Sequence, residues 1–141
     1  MVNTLRCKLS PRFKLNRFPQ DIAFSNYIRE RDNWKCQRCG KQYDKTKTSD
    51  RMALHCSHFF GRSNWRTRCE PANAMALCYG CHRFVGSNPT EHFELWNKRF
   101  TKTERDNVIA LRNNLNFKTR DIKNSETTKK FKKLLLELEN A

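Results

Sequence analysis

Two pairs of cysteines constrain the fold of this chain more than any other feature of its sequence. Cys36 and Cys39 form one CxxC unit, and Cys78 and Cys81 form a second unit after 38 intervening residues. Each CxxC turn directs two thiolates at one ion, so two turns complete the tetrahedral sulfur coordination that zinc prefers. The spacing therefore predicts a zinc site that ties two distant segments together. Because four thiolates leave no coordination position open, we expect this zinc to be structural.

The size and composition of the chain favour a metal-stabilised fold. Only 37% of its 141 residues are hydrophobic, so the chain can bury a modest core. It has seven cysteines, an odd number, and paired CxxC units are typical of metal ligands in a reducing compartment. No stretch approaches the ~18 apolar residues needed to cross a bilayer, and residues 1–13 lack the apolar run of a secretory signal. We therefore expect a soluble, cytoplasmic protein that does not bind membranes.

The net charge of the chain predicts a polyanionic partner. Lys and Arg number 29 against 14 Asp and Glu, which gives a formal net charge of +15. Such an excess attracts phosphate backbones, and neutralising phosphates releases counterions. DNA is therefore the expected partner, although an evenly spread basic charge is also typical of a solvated surface. Residues 10–20 contain two prolines among basic side chains, which predicts that 1–20 form an extended basic arm.

The pattern of apolar residues predicts an α+β fold that is mostly helical. Asp21 is a candidate N-cap for a helix over 21–32, and 51–60 is the best strand candidate. The polar, arginine-rich stretch at 61–75 is expected to be a loop. A short helix is expected to begin within 77–86 and to end at Gly86.

Three further helices are expected in the C-terminal half of the chain. Asn88 is a candidate N-cap for the first, on which Phe93, Trp96 and Phe100 share one face. The others are expected at 103–115 and 125–140. The last helix carries a narrow apolar stripe that could pack on the core or form a homodimer; it consists of Phe131, Leu134, Leu135 and Leu138.

Three polar side chains occur in an order that is typical of one nuclease family. His58 is followed by 14 residues and Asn73, and then by eight residues and His82, directly behind the second CxxC unit. This order resembles the HNH (ββα-metal, or His-Me finger) nucleases. The strings SNYIRERD, CQRCGK, CSHFFGR and RCEPANAMALCYGC are similar to strings of the phage HNH group around the NinG/Rap recombination nucleases. The resemblance covers residues 22–97, about half of the chain.

The resemblance implies a small zinc-stabilised ββα-metal (HNH) core at 21–100, between the basic arm at 1–20 and a helical extension at 101–141. It implies a metal-dependent DNA endonuclease that leaves 5′-phosphate and 3′-hydroxyl ends. In that family the residue matching His58 is the general base, a role that suits a neutral imidazole. The residue matching Asn73 fixes the loop, and the one matching His82 would hold Mg²⁺ or Mn²⁺.

Two further groups of candidate site residues are a possible second metal ligand and a set of DNA-binding residues. Many HNH enzymes have Asp or His immediately before the base as a second metal ligand, whereas this chain has Ser57 there, which makes Ser57 a weak candidate ligand. Arginines around an indole suit phosphate contact and base stacking. The candidate DNA-binding residues in the loop are Arg62, Trp65, Arg66 and Arg68.

Several alternatives remain open from the sequence. The substrate is expected to be branched recombination DNA if the phage resemblance extends that far, but a free-standing nicking or homing-type enzyme that reads sequence is the runner-up. A zinc-stabilised DNA-binding module without catalysis is a third. His55 and His92 have no supporting spacing and are expected at the surface, with His55 and Cys56 as possible helpers of the metal at His82. Cys7, Cys56 and Cys69 are expected to be free thiols, with a second zinc site built from the last two and a histidine as a minor alternative.

Overall fold

A computed structural model of the protein describes residues 17–141, so nearly all of the expected arm at 1–20 lies outside the described residues. Over 17–141 the chain forms the α+β, mostly helical fold that the sequence predicts. Its elements are α1 (Pro19–Arg31), α2 (Thr48–Ala53), β1 (Leu54–His58), β2 (Ala74–Cys78), α3 (Tyr79–Ser87), α4 (Pro89–Arg99), α5 (Lys102–Arg112) and α6 (Ser125–Glu139). Within this range, no helix has the length and apolar character required to cross a membrane.

Helix α1 begins two residues earlier than its predicted start. Its N-cap is Phe18, and Pro19 is the first helical residue, a position where the missing N–H costs no hydrogen bond. Asp21 is therefore not the N-cap. It occupies the third helical position, and its Oδ2 accepts a hydrogen bond of 2.9 Å from the backbone N–H of Phe18.

Strands β1 and β2 form an antiparallel hairpin that leads directly into α3. The register pairs Leu54 with Cys78 at one end and His58 with Ala74 at the other. The predicted strand at 51–60 is too long, because 51–53 complete α2 and the strand ends at His58. The resulting β1–loop–β2–α3 order has the ββα connectivity that the resemblance implies.

Strand β2 was not predicted, and its burial explains why. Four of its five residues, Ala74, Met75, Ala76 and Leu77, are almost completely buried. A strand that is covered on both faces has no alternation of polar and apolar residues, so its sequence does not indicate a strand. The predicted loop therefore ends before Ala74, and the predicted helix starts at Tyr79, after the strand.

Two apolar clusters form the core. The first joins the hairpin to the following helices through Leu77, Val85 and Trp96. The second joins α1 to α6, where the Phe131 ring meets the Phe24 ring edge-on with their centroids 5.0 Å apart. The apolar stripe of α6 is thus used at least in part within the chain.

Helix α4 begins as predicted but buries a smaller face than predicted. Asn88 is its N-cap residue and Pro89 its first residue, although the Asn88 side chain donates to the carbonyl of Phe84 rather than capping the helix. Trp96 is buried, with its Nε1 donating to the carbonyl of Ala72 at 2.8 Å. Phe93 is 50% exposed, so it does not share the buried face.

Candidate metal centre and histidine cleft

The four cysteines of the CxxC units come together in one cluster. Cys36 and Cys39 lie in a turn after α1, Cys78 ends β2 and Cys81 lies in the first turn of α3. All four Sγ atoms lie within 4.8 Å of one another, and the Sγ atoms of Cys39 and Cys78 are 3.8 Å apart. A tetrahedral zinc with Zn–S bonds of about 2.3 Å requires sulfur separations of about 3.8 Å. The cluster could therefore hold the structural metal ion that the spacing predicts.

The surroundings of the sulfur atoms shift the pKa values of the cysteines in opposite directions. Burial would raise the pKa of Cys36, but hydrogen bonds from the backbone N–H groups of Cys39, Cys78 and Arg38 outweigh burial and lower that pKa to about 7. Burial raises the pKa of Cys81 to about 12, although Arg38 Nη1 lies 3.5 Å from its Sγ. A metal ion would supply the charge needed to deprotonate the remaining thiols.

Three histidines line one open cleft beside the hairpin. Its volume is about 660 Å³. His55 and His58 come from β1 and His82 from α3, so the ββα unit positions all three rings. The other lining residues are Arg17, Asp21, Ile22, Ser25, Asn26, Arg29, Thr48, Arg51, Met52, Cys56 and Arg62. The two histidines singled out by spacing, His58 and His82, therefore open onto the same space.

His55 is the residue of this cleft that the sequence named only as a possible helper of the metal at His82. Its Nδ1 lies 3.0 Å from the Nδ1 of His82, and the two rings are nearly perpendicular, at 86°. The sequence left His55 as either a surface residue or such a helper, because it is 27 residues from His82 and no spacing rule joins the two. The register of β1 with β2, together with the turn of the chain into α3, brings the two rings together.

His58 is held by packing and by one hydrogen bond. Its Nε2 lies 2.9 Å from the carbonyl oxygen of Arg68. Because a carbonyl oxygen can only accept, Nε2 carries the hydrogen and Nδ1 of the neutral ring keeps its lone pair. Burial, including contact with the Phe24 ring at 5.6 Å, lowers the pKa of His58 to about 4, so the ring is neutral at pH 7.

Asn73 fixes the loop between the two strands. Its side-chain Oδ1 accepts from the backbone N–H of Phe60 at 2.8 Å, and its Nδ2 donates to the carbonyls of Phe60 and Thr67 at 3.0 Å each. The side chain is completely buried. These hydrogen bonds tie the loop at Phe60 and Thr67 to the start of β2.

Two of the candidate site residues are buried away from the positions expected of them. Ser57 is 1% exposed, is not among the residues lining the cleft, and its Oγ has no hydrogen-bond partner in the described part of the chain. Arg68 is 2% exposed and forms a two-point ion pair with Asp21, at 2.8 and 2.6 Å. Neither position fits the predicted role, as a metal ligand for Ser57 or as a DNA contact for Arg68.

The remaining candidate DNA-binding residues lie in different surroundings. Arg62 lines the cleft, whereas Arg66 donates from Nε to the carbonyl of Asn114 at 2.7 Å. Trp65 is partly buried, with the Arg68 guanidinium 4.2 Å from its ring centroid. Only Arg62 of this group therefore faces the histidines.

Arg29 adds a cation to the cleft that the sequence did not single out. Its Nε donates to the carbonyl of Leu54 at 2.7 Å, and its Nη1 lies 3.2 Å from the side-chain oxygens of Ser25 and Asn26. These partners are neutral oxygens. Burial lowers the pKa of this guanidinium, which is how a cation with little compensating charge behaves. Among residues 17–141, four arginines thus line the cleft, and the one acidic lining residue, Asp21, is already paired with Arg68.

The residues of the cleft do not fit the expected Mg²⁺. Magnesium is bound in proteins by oxygen ligands, usually one or two carboxylates with water and phosphate oxygens. At His55 and His82 the donors are imidazole nitrogens, which suit later transition metals.

Comparison with known proteins adds no assignment, since no protein-family model, no curated protein and no solved structure matches this chain.

Proposed function

We propose that this protein is a DNA endonuclease that hydrolyses phosphodiester bonds in the histidine cleft. The observation that carries the proposal is that His55, His58 and His82 open onto one cleft that four arginines also line. Imidazoles supply proton transfer near neutral pH, and guanidinium groups supply charge for phosphate. The net charge of +15 also favours a polyanionic substrate.

The arginines of the cleft account for substrate binding in this proposal. Arg29 donates to neutral oxygens, and Arg62 lines the same space. A phosphate entering the cleft would give Arg29 the negative charge that its hydrogen-bond partners lack. Charge-assisted contacts of this kind also stabilise the extra negative charge that develops as the phosphorus is attacked.

His58 accounts for activation of water. Its Nδ1 is available to accept a proton because Nε2 is held by the carbonyl of Arg68. As the water oxygen bonds to phosphorus, the proton passes to Nδ1, the bond from phosphorus to the 3′ oxygen breaks, and that oxygen takes a proton from solvent. The nearby phosphate raises the basicity of His58, which burial lowers in the resting protein.

A non-catalytic DNA-binding module remains the second candidate because of one observation. The ring of His58 packs on Phe24 and is hydrogen-bonded to a backbone carbonyl, as the ring of a purely structural histidine would be. In this alternative the cysteine cluster stabilises the fold, the arginines bind DNA, and no bond is broken.

Plasmid nicking separates the two candidates. Supercoiled plasmid is incubated with the wild-type protein, with His58→Gln and with His92→Gln, in parallel reactions containing Mg²⁺, Mn²⁺ or Zn²⁺. His92 is a matched control because it is a half-buried histidine that does not line the cleft. Loss of a general base costs about 10²–10⁴-fold, so we expect nicking by the wild type and by His92→Gln and at least a hundredfold slower nicking by His58→Gln. Equal nicking by all three proteins, or by none, would contradict the proposal.

The kind of DNA is a further part of the proposal. Resemblance to the recombination nucleases supports branched DNA as substrate, with a sequence-reading nicking enzyme as the alternative. Cleavage rates on a four-way junction, a D-loop and a linear duplex of the same sequence distinguish them. Faster cleavage of the branched forms is the expected result, and equal rates on all three would exclude structure-specific cutting.

A further inference from the structure

His55 and His82 are in contact across the cleft. Their Nδ1 atoms are 3.0 Å apart and the rings are nearly perpendicular. In a metal site with metal–nitrogen bonds of about 2.0–2.1 Å, two nitrogen ligands lie about 2.9–3.4 Å apart, depending on whether the angle at the metal is square or tetrahedral. The observed separation falls within that interval.

The two rings are carried by elements that pack against each other. His55 lies in β1 and His82 in α3, and the two elements are in contact. The Tyr79 ring packs edge-on against His55 at 5.8 Å and helps to fix its orientation.

We infer that His55 and His82 together bind one divalent transition-metal ion of the imidazole-preferring kind, such as Zn²⁺ or Ni²⁺, in the histidine cleft. A role for this ion in cleavage rests on the proposed function, but binding of the ion does not. Within residues 17–141, the four-cysteine cluster is the one group of three or more ligand side chains close enough to share an ion. The His55–His82 ion would therefore have two protein ligands and open positions that water or a phosphate oxygen can occupy.

This site differs from the one that the family resemblance implies. The resemblance places the second ligand immediately before the base, at Ser57, whose hydroxyl is buried outside the cleft. Here the second ligand is three residues before His58. Two nitrogen donors without a carboxylate also change the preferred ion from Mg²⁺ to a later transition metal.

Metal stoichiometry tests the inference without any cleavage assay. The wild-type protein, purified with one zinc per chain, is dialysed to equilibrium against Zn²⁺ in the presence of excess Mg²⁺, and bound zinc is counted by elemental analysis. The same measurement is made on His55→Asn, His82→Asn, His92→Asn and His58→Gln, each first checked by circular dichroism for native helix content. His92 and His58 are the matched controls: neither belongs to the pair, and His58 lines the same cleft.

Two zinc ions per chain are expected for the wild type, His92→Asn and His58→Gln. Removing a residue that hydrogen-bonds a metal ligand typically lowers metal affinity 10–100-fold, and removing the ligand itself should cost at least as much. His55→Asn and His82→Asn are therefore expected to bind the second ion at least tenfold more weakly. In wild-type protein with labelled histidine rings, the Nδ1 resonances of His55 and His82 should both shift when the second ion is added.

Other outcomes would overturn the inference. If His55→Asn binds the second ion as tightly as the wild type does, His55 is not a ligand. No second ion at all means that the 3.0 Å contact is a hydrogen bond between two neutral imidazoles. If the plasmid is still nicked in either case, the proposed nuclease function stands without this metal site. If a second ion binds but no plasmid is nicked, the metal site stands and the proposed nuclease function is contradicted.

Discussion

Arg68 and Asp21 form a buried ion pair that fastens the loop after β1 to the start of α1. Their side chains are 2% and 6% exposed, and Nη2 of Arg68 lies 2.6 Å from Oδ2 of Asp21. Burial would raise the pKa of Asp21, but hydrogen bonds from Arg68 and from the Phe18 backbone outweigh burial and hold that pKa below its usual range. Since the carbonyl of Arg68 also holds His58, this pair links the loop geometry to the candidate base.

Removing one partner of this pair should be costly. Arg68→Met or Asp21→Asn leaves the other charged group buried without its opposite charge. This typically lowers the free energy of unfolding by about 3–5 kcal/mol. Urea unfolding should report that loss for each single variant and a smaller loss for the double variant Asp21→Leu/Arg68→Met. The exposed pair Lys102–Asp106 is the control, and Lys102→Met should cost less than about 1 kcal/mol. Similar losses at the two pairs would mean that the buried pair contributes little.

His58 should make the stability of the protein depend on pH. Its pKa is about 4 in the folded protein and near 6.5 when unfolded, so the unfolded chain takes up the proton first as the pH falls. The free energy of unfolding is therefore highest above pH 6.5 and falls toward pH 4. The expected loss from this residue is about 2 kcal/mol between pH 7 and pH 5. Urea unfolding at the two pH values should show a correspondingly smaller loss in His58→Gln, and equal losses in the two proteins would show that His58 is not the cause.

At the scale of elements, the cysteine cluster joins the turn after α1 to the junction of β2 and α3. That junction carries His82, and β2 is paired with the strand that carries His55 and His58. The cluster therefore supports the cleft indirectly, by holding α3 and the hairpin in a fixed relation. A small core with a metal cross-link is a common solution for chains that bury little apolar surface.

Cys39 offers a clean test of the cluster because its side chain is exposed and contributes little to the core. Cys39→Ser removes one of four sulfur ligands, so we expect loss of the bound zinc and a fall in the melting temperature. Cys69→Ser is the matched control: it alters a buried thiol outside the cluster and should retain one zinc per chain. Zinc content by elemental analysis and thermal unfolding provide the measurements. A Cys39→Ser protein with full zinc content would exclude the four-thiolate site.

At the scale of the whole molecule, positive charge dominates. The net charge is +15, while Arg29 and Arg62 line the cleft. Leu136 and Leu138 at the far end of α6 remain exposed, so the predicted homodimer stays a prediction. The charge distribution leads to a more direct test.

DNA binding should weaken steeply with salt. If about six phosphates are neutralised, affinity should fall roughly a thousandfold between 50 and 200 mM salt, because counterions are released on binding. Fluorescence anisotropy with a labelled duplex measures this slope. Arg29→Met should lower the slope by about one phosphate contact, whereas Lys102→Met, at an exposed ion pair outside the cleft, should leave it unchanged. Affinity that does not vary with salt would contradict the electrostatic basis of the proposal.

Local rules of spacing were sufficient for much of the fold. The CxxC units predicted the cluster, and capping and apolar periodicity predicted α3 to α6 to within a few residues. These features depend on neighbours within one or two turns of the chain, and such neighbours are visible in the sequence. The ordering of His58, Asn73 and His82 likewise indicated a common site, and the two histidines do line one cleft.

Long-range packing decided the rest. Strand β2 is buried on both faces and carries no alternation, so only its pairing with β1 identifies it. The contact of His55 with His82 depends on strand register and on the path of the chain into α3, and no local pattern encodes either. Arg68 is chemically suited to bind phosphate, but Asp21, 47 residues away, neutralises it in the interior. The sequence thus determined which chemical groups this protein has and which segments a metal can join, while the tertiary structure decided which groups face the cleft, because burial and pairing depend on residues far apart in the chain.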